Sequence, residues 1–462
     1  MREFQMKKFT CLVALLAAYS LSTTVAAQEL TVKAGQSIQD SVKKARDGDT
    51  ILVEPGRYTE SIYIDKQNIT LKSTQKGGAV LDGENKRNDG IIASGHGVVI
   101  DGFMVKGYKG NAIMTQGSNN FKIINNEVSG AFYAIFPQFG KNGLVQGNEV
   151  YGCEDAGIYV GMSDNINVLD NVAHGNVMGL EFENTRNALM AGNKVYNNTA
   201  GIMLSLIPGL PVKDSQYVVI RDNEVYDNNL KNFAPASSIA AGVPSGLGML
   251  VVGYDDATIE NNLIKDNQGI GIFIVDNVTF GMADDPKVDP YPDNARIMKN
   301  TFVNNGEKPQ GLLADFIAPA GRVGFEVVST GKGKGHCSVK QEGVDMLGTN
   351  RWGVCDSSMS KANYKTAMLD KPAPSAPFSA EQRGRLTYLA VCTGCHTYSS
   401  VLHGPSIQSI QAMYGKDETA LAKFIANPVR KRTDFAEMPP QAYLGDETIK
   451  AISHYILNDV NQ

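Results

Sequence analysis

Phe121-Lys122-Ile123-Ile124-Asn125-Asn126-Glu127-Val128 is the stretch that decides the fold, because its pattern recurs along the chain. Each copy has an asparagine, an apolar side chain three residues before it and another two residues after it. The asparagines are Asn126, Asn148, Asn171, Asn193, Asn223, Asn262 and Asn300. Their first intervals are 22 or 23 residues. A repeat of this length predicts a β-solenoid, in which each coil stacks on the one before it.

The apolar positions of each copy fit two short strands separated by a bend. Those before the asparagine are Ile123, Val145, Val168, Met190, Ile220, Ile259 and Ile297. Those after it are Val128, Val150, Ala173, Val195, Val225, Ile264 and Phe302. We expect the asparagine to turn inward at the bend, where stacked amides can form hydrogen bonds along a ladder. The longer later intervals indicate insertions, which a solenoid tolerates as surface loops.

A further strand follows in each coil, as in Gly157-Ile158-Tyr159-Val160. Side chains alternate between the two faces of a strand. If Ile158, Leu180, Ile202 and Ile272 point inward, an outer stripe is formed by Phe136, Tyr159, Glu181, Met203 and Phe273. Insertions at about 205–215, 228–246 and 276–294 leave the coils near this stripe. The stripe predicts a groove or docking surface; the alternative is that the loops simply cover it.

The ends of this domain have their own signals. Residues 1–27 have the features of a secretory signal peptide, with an apolar run too short to span a bilayer. The segment Ser37–Ala45 predicts a short helix that caps the first coil, whose strand edge is otherwise unpaired. Near the other end, Cys337 and Cys355 predict a disulfide, since the protein is expected in an oxidising compartment. Cys153 is then left over and is expected to be buried.

The sequence thus divides into four parts: a signal peptide (1–27), a β-solenoid (28–355), a Pro/Ala linker (356–378) and a helical domain (379–462). We expect a protein of the periplasm or the extracellular space, with no membrane span after cleavage. The formal net charge is −5 at pH 7, which argues against nucleic acid as a partner.

The helical domain contains Cys392-Thr393-Gly394-Cys395-His396. Two cysteines three positions apart, with histidine next, form the attachment sequence of a covalent c-type haem. Each thiol would add to one porphyrin vinyl group, and His396 would ligate the iron. A redox dithiol and half of a zinc site are the alternatives, but neither requires the adjoining histidine. The sequence therefore predicts one covalent haem c.

Residues 379–462 resemble the small class I cytochromes c, on the haem motif, Gly404-Pro405 and Glu437-Met438-Pro439. The resemblance implies that the Pro405 carbonyl orients His396 and that Met438 is the second ligand of the haem iron. His403 and His454 are the rival ligands, and Met413 is the alternative methionine. Two axial protein ligands leave no iron position for a substrate, which favours electron transfer over haem catalysis.

The coils resemble the right-handed parallel β-helices of the pectate-lyase-like type. That group includes polysaccharide lyases, a mannuronan C5-epimerase and a copper-binding accessory protein of nitrous oxide reduction. The candidate catalytic residues are Glu181, Glu183, Arg186 and His174, with solvated surface charge as the alternative interpretation. The candidate ligands of a Ca²⁺ ion are Asp284, Asp285, Asp289 and Asp293.

The predicted fold class is therefore mainly β: a right-handed parallel β-helix followed by a small all-α cytochrome c domain. The favoured function is an exported electron-transfer protein, whose β-helix binds a redox partner protein or a polysaccharide or other polymer. The alternative is a carbohydrate-active enzyme, similar to a polysaccharide lyase or epimerase, with an accessory haem domain.

Overall fold

The computed structural model describes residues 27–236, 238–283, 285–356, 378–393, 395–399, 404–430 and 438–461. Nearly all of the predicted signal peptide and linker lie outside these ranges, as do His403 and Asp284.

The N-terminal part is built from short strands separated by bends. The first are β1 (Glu29–Val32), β2 (Thr50–Val53), β3 (Gly56–Tyr58), β4 (Ile62–Ile64), β5 (Thr70–Ser73), β6 (Ala79–Asp82), β7 (Ile91–Ala93), β8 (Val99–Asp101), β9 (Met104–Lys106), β10 (Asn111–Gln116), β11 (Lys122–Ile124) and β12 (Glu127–Ser129). The middle coils contain β13 (Tyr133–Gln138), β14 (Leu144–Gln146), β15 (Glu149–Tyr151), β16 (Ala156–Gly161), β17 (Asn167–Leu169), β18 (Val172–His174), β19 (Met178–Glu183), β20 (Arg186–Ala191), β21 (Lys194–Tyr196), β22 (Ala200–Ser205), β23 (Gln216–Arg221) and β24 (Glu224–Tyr226). The last are β25 (Leu247–Val252), β26 (Ala257–Glu260), β27 (Leu263–Lys265), β28 (Ile270–Val275), β29 (Arg296–Met298), β30 (Thr301–Val303), β31 (Val327–Ser329), β32 (Cys337–Ser338), β33 (Met346–Leu347) and β34 (Gly353–Val354).

These strands form three parallel sheets, and successive strands of one coil belong to different sheets. Over the described residues, sheet A runs β1-β2-β5-β8-β11-β14-β17-β20-β23-β26-β29-β32-β34. Sheet B runs β3-β6-β9-β12-β15-β18-β21-β24-β27-β30, and sheet C runs β4-β7-β10-β13-β16-β19-β22-β25-β28-β31-β33. Three parallel sheets wound by one repeating coil are the architecture of a right-handed parallel β-helix, as predicted.

The helices are few and lie mostly near the C-terminus. They are α1 (Ile38–Lys44), α2 (Leu312–Ile317), α3 (Ala380–Thr387), α4 (Ile407–Tyr414), α5 (Glu418–Ala426) and α6 (Asp446–Asn458). The predicted cap is confirmed as α1, which Ser37 caps and which buries Ile38 and Val42. Ser379 and Gln382 form a capping box at the start of α3. The last helix, α6, buries Ile449, Ile452 and Ile456.

The core of the β-helix is the inward row of each sheet. Ile123, Val145, Val168 and Met190 are aligned in register in sheet A and are completely buried. Ile158 aligns with Leu180 and Ile202 in sheet C, and all three point inward as predicted. Each stacked coil thus adds a layer of apolar side chains to one continuous core, and this burial is the main favourable term in folding.

The predicted asparagine ladder is confirmed in detail. Each buried side-chain oxygen accepts a hydrogen bond from the backbone N–H of the ladder residue one coil earlier. Each side-chain nitrogen donates to the amide oxygen of the next coil, as from Asn171 Nδ2 to Asn193 Oδ1 at 3.0 Å. The same nitrogen also donates to a backbone carbonyl, as from Asn193 Nδ2 to Val168 O at 3.0 Å. The ladder therefore satisfies backbone groups that the bend removes from the sheets.

Sequence analysis missed a second ladder, at the bend between sheets B and C. Its members are Asn176, Asn198, Asn228, Asn267 and Asn305. The buried Cys153 takes the equivalent position one coil earlier, where its backbone N–H donates to Asn176 Oδ1 at 3.0 Å. Asparagine is common in this chain, so a second row at similar intervals is difficult to separate from the other asparagines.

The residue before each ladder position is in the left-handed region of backbone conformation. Asp170 before Asn171 has a φ of 52°, and Gly192 before Asn193 has a φ of 68°. Asn, Asp and Gly adopt this conformation most readily, which explains their frequency at the bends.

The outer stripe is located on sheet C as predicted, but it is not exposed. The relative exposures of Phe136, Tyr159, Glu181, Met203 and Phe273 are 8%, 7%, 5%, 9% and 0%. Residues of the 228–246 insertion, including Ala240 and Val243, pack in the same apolar cluster, and so do Leu313 and Ile317 of α2. The prediction of an exposed groove is therefore wrong along this stripe, because loops and helices bury its apolar side chains.

The C-terminal helices pack against the first coils of the same sheet. The stripe continues toward the N-terminus through Tyr63, Ile92 and Met114, which share a cluster with Tyr388 and Ile452. The Tyr63 hydroxyl lies 2.6 Å from the Thr387 hydroxyl oxygen. The helical part of the chain therefore occupies the outer face of sheet C at the capped end.

Replacing Asn193 with alanine tests the ladder. The change removes the acceptor of the Asn171 N–H and the donor to the Val168 carbonyl, and it leaves Asn171 Nδ2 with the Val145 carbonyl as its remaining partner. We expect the free energy of unfolding, measured in urea, to fall by about 2–4 kcal/mol, because each unpaired buried group costs about 1–3 kcal/mol. The adjacent surface change Lys194→Ala is the control, with an expected effect within about 0.5 kcal/mol. Equal effects of the two changes would contradict the role assigned to the ladder.

The structure contains the Cys337–Cys355 disulfide, with a sequence separation of 18 residues, at the last strands of sheet A. Replacing both cysteines with serine should lower the free energy of unfolding by about 3 kcal/mol, because the bridge restricts the unfolded chain. Mass spectrometry of a non-reduced digest should find the two peptides linked. Two freely alkylated thiols in the purified protein would reject the bridge.

Candidate functional site

One apolar cavity of about 180 Å³ in the C-terminal part brings together the sulfur and imidazole groups of the sequence motif. Its lining includes Cys392, Cys395, His396 and Met438. Cys392 ends a single π-helical turn, Tyr388–Cys392, that continues α3. Helices α4, α5 and α6 contribute apolar walls, among them Ile410, Ile425 and Ile456.

The imidazole of His396 is held in one orientation. Its Nδ1 donates a hydrogen bond to the Pro405 carbonyl at 2.8 Å, which leaves Nε2 as the ring nitrogen available to a ligand. Gly404 lies against the ring, where an added Cβ would be 2.4 Å from Cε1. A glycine is therefore required beside the histidine. The predicted role of Pro405 in orienting His396 agrees with this contact.

The two thiols lie in a low-dielectric environment. Burial raises the pKa of the Cys392 thiol to about 12, and the neighbouring Cys395 adds to this effect. Burial also raises the pKa of Cys395. Without a bound cation, both thiols are protonated at neutral pH, since burial disfavours the thiolate.

The rival ligands differ in position. Met413, the alternative methionine, lines the same cavity, but it is 57% exposed and does not belong to the core. His454 lies elsewhere, on the exposed side of α6, where Nδ1 is 2.9 Å from Glu418 Oε1. Of the two methionines that line the cavity, Met438 is therefore the more deeply buried.

The β-helix contributes one residue to this cavity. Asn88 lines it, and its Nδ2 donates to Asp89 Oδ2 at 2.7 Å. Asp89 is buried and accepts two further hydrogen bonds, from the backbone and side chain of Asn111 at 3.0 and 2.9 Å. This contribution was missed by sequence analysis, because Asn88 is more than 300 residues from the motif.

Two of the four candidate catalytic residues do come together on the β-helix. Glu181 and Glu183 point outward from β19, and Ser205 donates a hydrogen bond to Glu181 Oε1 at 3.0 Å. Nearby, the ring of Tyr159 stacks on Tyr133, with centroids 5.0 Å apart. Together with Asp155, which contacts the Ser238 hydroxyl of the 228–246 insertion, these side chains form an acidic cluster on sheet C.

The acidic cluster has strongly perturbed ionisation. Burial raises the pKa of Asp155 and of Glu183 to about 7 in each case. Burial, and then the charges of Glu183 and Asp155, raise the pKa of Glu181 well above its ordinary value. Three carboxyl groups in one buried region cannot all ionise without mutual repulsion.

The other two candidates lie elsewhere and have structural partners. Arg186 pairs with Asp164 at 2.6 Å and with Asp214 at 2.9 Å. His174 is on sheet B, where its ring stacks between Tyr151 and Tyr196, both with centroids 5.2 Å away. The predicted set of four is therefore divided between three sheets, because adjacent positions along a coil face different directions.

Of the aspartates proposed for Ca²⁺, the three that the structure describes, Asp285, Asp289 and Asp293, do not form a cation site. Asp285 is paired with Lys213 at 2.6 Å, and Asp293 accepts a hydrogen bond from the backbone of Lys334 at 2.9 Å. The Oδ1 of Asp289 accepts a bond from the Tyr291 backbone. Among the described residues, no group of three or more His, Cys, Asp or Glu side chains is close enough to hold a metal ion. The Ca²⁺ prediction is corrected accordingly, since these carboxylates are used within the loops.

The chain is thus a parallel β-helix protein with an added helical unit, and a comparison with known families finds a match over the β-helix. The family model "Periplasmic copper-binding protein (NosD)" matches residues 42–240 and 101–310. Together these overlapping matches span more than half of the chain, so the protein belongs to the NosD family. In the ranges that the structure describes, no helix is long and apolar enough to cross a membrane.

Among curated proteins, a "Cell surface glycoprotein" of Methanothermus fervidus is 33% identical over 141 residues. The match covers 29% of this chain and 23% of that protein, so it spans only about a quarter of the relative's length.

Two solved structures with similar coils are distant in sequence. The A-module of the Azotobacter vinelandii mannuronan C-5 epimerase AlgE4 is 15% identical, covers 65% of this chain and 87% of its own, and has a TM-score of 0.47. An alginate lyase from Paenibacillus sp. str. FPU-7 is 12% identical, with 69% and 97% coverage and a TM-score of 0.40.

These findings correct the predicted function and cofactor. The matched family is described by copper rather than haem, and the curated relative is described as a cell-surface glycoprotein. The electron-transfer function and the covalent haem c are therefore not retained, and neither comparison supports the alternative of a carbohydrate-active enzyme. The physical reason is that thiol, imidazole and thioether groups also form a donor set for soft metal ions, so the short motif does not define its cofactor alone.

The acidic cluster predicts a pH dependence of stability. A carboxyl group whose pKa is raised from 4.5 to about 7 by folding stabilises the protein fully below pH 4.5. That contribution is lost as the pH rises through about 7. We expect Glu183→Gln to flatten the decline between pH 5 and pH 8 by up to about 1.4 kcal/mol per pH unit, in urea unfolding. Glu224→Gln, at a half-exposed glutamate on sheet B, is the matched control, and an identical profile for both variants would contradict the assignment.

Proposed function

We propose that the protein is an exported member of the NosD family that binds a soft metal ion, copper(I), in the C-terminal cavity. The observation that carries this proposal is that Cys392, Cys395, His396 and Met438 line the same cavity. Thiolate and thioether sulfur atoms favour copper(I) over harder cations, and imidazole is a common copper ligand. Copper is also the metal in the description of the family.

The side chains that line the cavity are chemically suitable ligands for copper(I). Cys392, Cys395 and His396 do not, however, form a preassembled metal-binding cluster. His396 is fixed through Pro405, which keeps Nε2 free to act as a ligand. The apolar walls from α4, α5 and α6 limit the access of water to the sulfur atoms of Cys392 and Cys395, which are partly buried. Bound copper(I) would be a soft cation that can be transferred to another protein. The chain's own role is to hold the ion, to orient the imidazole of His396 and to limit the access of water to the cavity.

In this proposal the β-helix is the platform for the metal-binding domain, whose helices occupy the capped end of sheet C. The predicted partners, a redox partner protein or a polysaccharide, stay predictions that no described contact tests. Part of the surface on which they were expected is covered by the chain itself.

The test is metal analysis of the protein purified from the periplasm. We expect about one copper ion per chain, with copper(I) affinity measured by competition with a chromogenic chelator. Cys392→Ser and His396→Ala should each weaken binding by at least about tenfold. Met413→Leu, at the exposed rim, and Cys153→Ser, in the β-helix core, are the controls and should bind as the parent does.

Two outcomes would contradict the proposal. One is a purified protein that neither contains copper nor takes up copper(I). The other is a tightly held metal that is not copper, including iron in a covalently attached porphyrin, which a haemochrome spectrum would detect.

A further inference from the structure

The segment that carries the first thiol of the cavity is also part of the contact with the β-helix. Thr387 ends α3, and its hydroxyl lies 2.6 Å from the buried hydroxyl of Tyr63 on β4. The π-helical turn Tyr388–Cys392 begins at the next residue and packs on β10. A π-helical turn is rare and is often found at functional sites. The position of Cys392 therefore depends directly on the fit between the two domains.

A second connection runs through the cavity wall. Asn88 lines the cavity and is bound to Asp89, whose other hydrogen bonds hold Asn111 at the start of β10. Strand β10 thus contacts the site at two places, through the π-helical turn and through the Asn88 wall. When the helical domain leaves the sheet, the cavity loses both supports together.

Near the contact between the helical domain and the β-helix, some buried polar groups have no hydrogen-bond partner among the described residues. Gln116, at the end of β10, is completely buried, yet neither polar atom of its side-chain amide has a hydrogen-bond partner in the ranges that the structure describes. Leu386 of α3 packs close to the next residue, Gly117. Arg383 of α3 lies 3.8 Å from Asp65, and within the described part of the chain its Nε forms no hydrogen bond. Buried polar groups without partners weaken an interface, so the docked arrangement is open to adjustment by a ligand.

We propose that metal binding in the C-terminal cavity and docking of the helical domain on β4–β10 are coupled, each strengthening the other. This inference rests on the proposed function, since it concerns the regulation of the same site. The coupling must be reciprocal: if docking raises the affinity for the metal by some factor, the metal raises the stability of docking by the same factor.

The first experiment is hydrogen exchange of the full chain with and without copper(I), under ascorbate, which keeps copper reduced and leaves the Cys337–Cys355 disulfide intact. Peptides from β10 (Asn111–Gln116) report docking, and peptides from β27 (Leu263–Lys265) are the internal reference. We expect copper(I) to slow exchange at β10 at least about fivefold, the lower end of typical coupling, and to leave β27 unchanged.

Two substitutions outside the donor set change docking in opposite directions. Gln116→Met replaces the unpaired amide with an apolar side chain of similar volume and should strengthen docking. Tyr63→Phe removes the hydroxyl that contacts Thr387 and should weaken it. Coupling requires the copper(I) affinity to rise several-fold in the first variant and to fall several-fold in the second. Gln146→Met, on sheet A, is the matched control, and its affinity should equal that of the parent.

The outcomes separate the two proposals. If the parent protein takes up no copper(I), the proposed function fails, and the coupling fails with it. If the parent binds copper(I) but exchange at β10 does not change, the function stands and the coupling is overturned. Equal copper(I) affinities in Gln116→Met, Tyr63→Phe and Gln146→Met would overturn the coupling in the same way.

Discussion

The structure depends on hydrogen bonds between buried asparagines of successive coils. Where the chain turns from sheet A to sheet B, the backbone leaves the strand ladder and its polar groups need other partners. The amide of Asn171 provides them, because it has both a donor and an acceptor and bonds to Asn193 as well as to the Val145 carbonyl. The second ladder, including Asn198, does the same between sheets B and C. With both bends satisfied, three sheets can stack around one apolar core.

The asparagine ladders also determine where the coils can accept insertions. The bend between A and B is occupied by a ladder in consecutive coils, whereas the insertions at about 205–215, 228–246 and 276–294 all flank sheet C. Sheet C is therefore the face that receives additional structure: α2 at one end, the 228–246 insertion in the middle and the C-terminal helices at the capped end. The acidic cluster of Asp155, Glu181 and Glu183 is buried for the same reason.

Much of the β-helix could be predicted from the sequence, because its repeat places one residue type at one position in coil after coil. The first ladder, the inward row and the insertions all follow from that regularity, whereas the cap was predicted from the helical pattern of Ser37–Ala45. What covers sheet C could not be predicted, since the helices that contact Tyr63 are more than 300 residues away in the chain. The alternation of side chains correctly placed Glu181 and Glu183 outside, but gave no information about Asp155 or Tyr133 beside them.

The C-terminal motif shows a second limit of prediction from sequence alone. The four residues assigned to a haem from the sequence, Cys392, Cys395, His396 and Met438, line one cavity, but their residue types do not identify the group bound there. The identity of the bound group depends on charge, shape and neighbouring walls, and one wall comes from Asn88 in the other domain. A local pattern contains none of that information.

The return of the helical domain to the capped end has a consequence for the order of folding. Thr387 is 324 residues from Tyr63, so this part of the chain closes against coils that are made much earlier. Contacts of such separation form late, because a long loop must close before they stabilise anything. The docking surface exists only after β4, β7 and β10 have stacked in register. The C-terminal helices thus recognise a correctly wound solenoid, and a chain with slipped coils would leave them undocked and accessible to proteases.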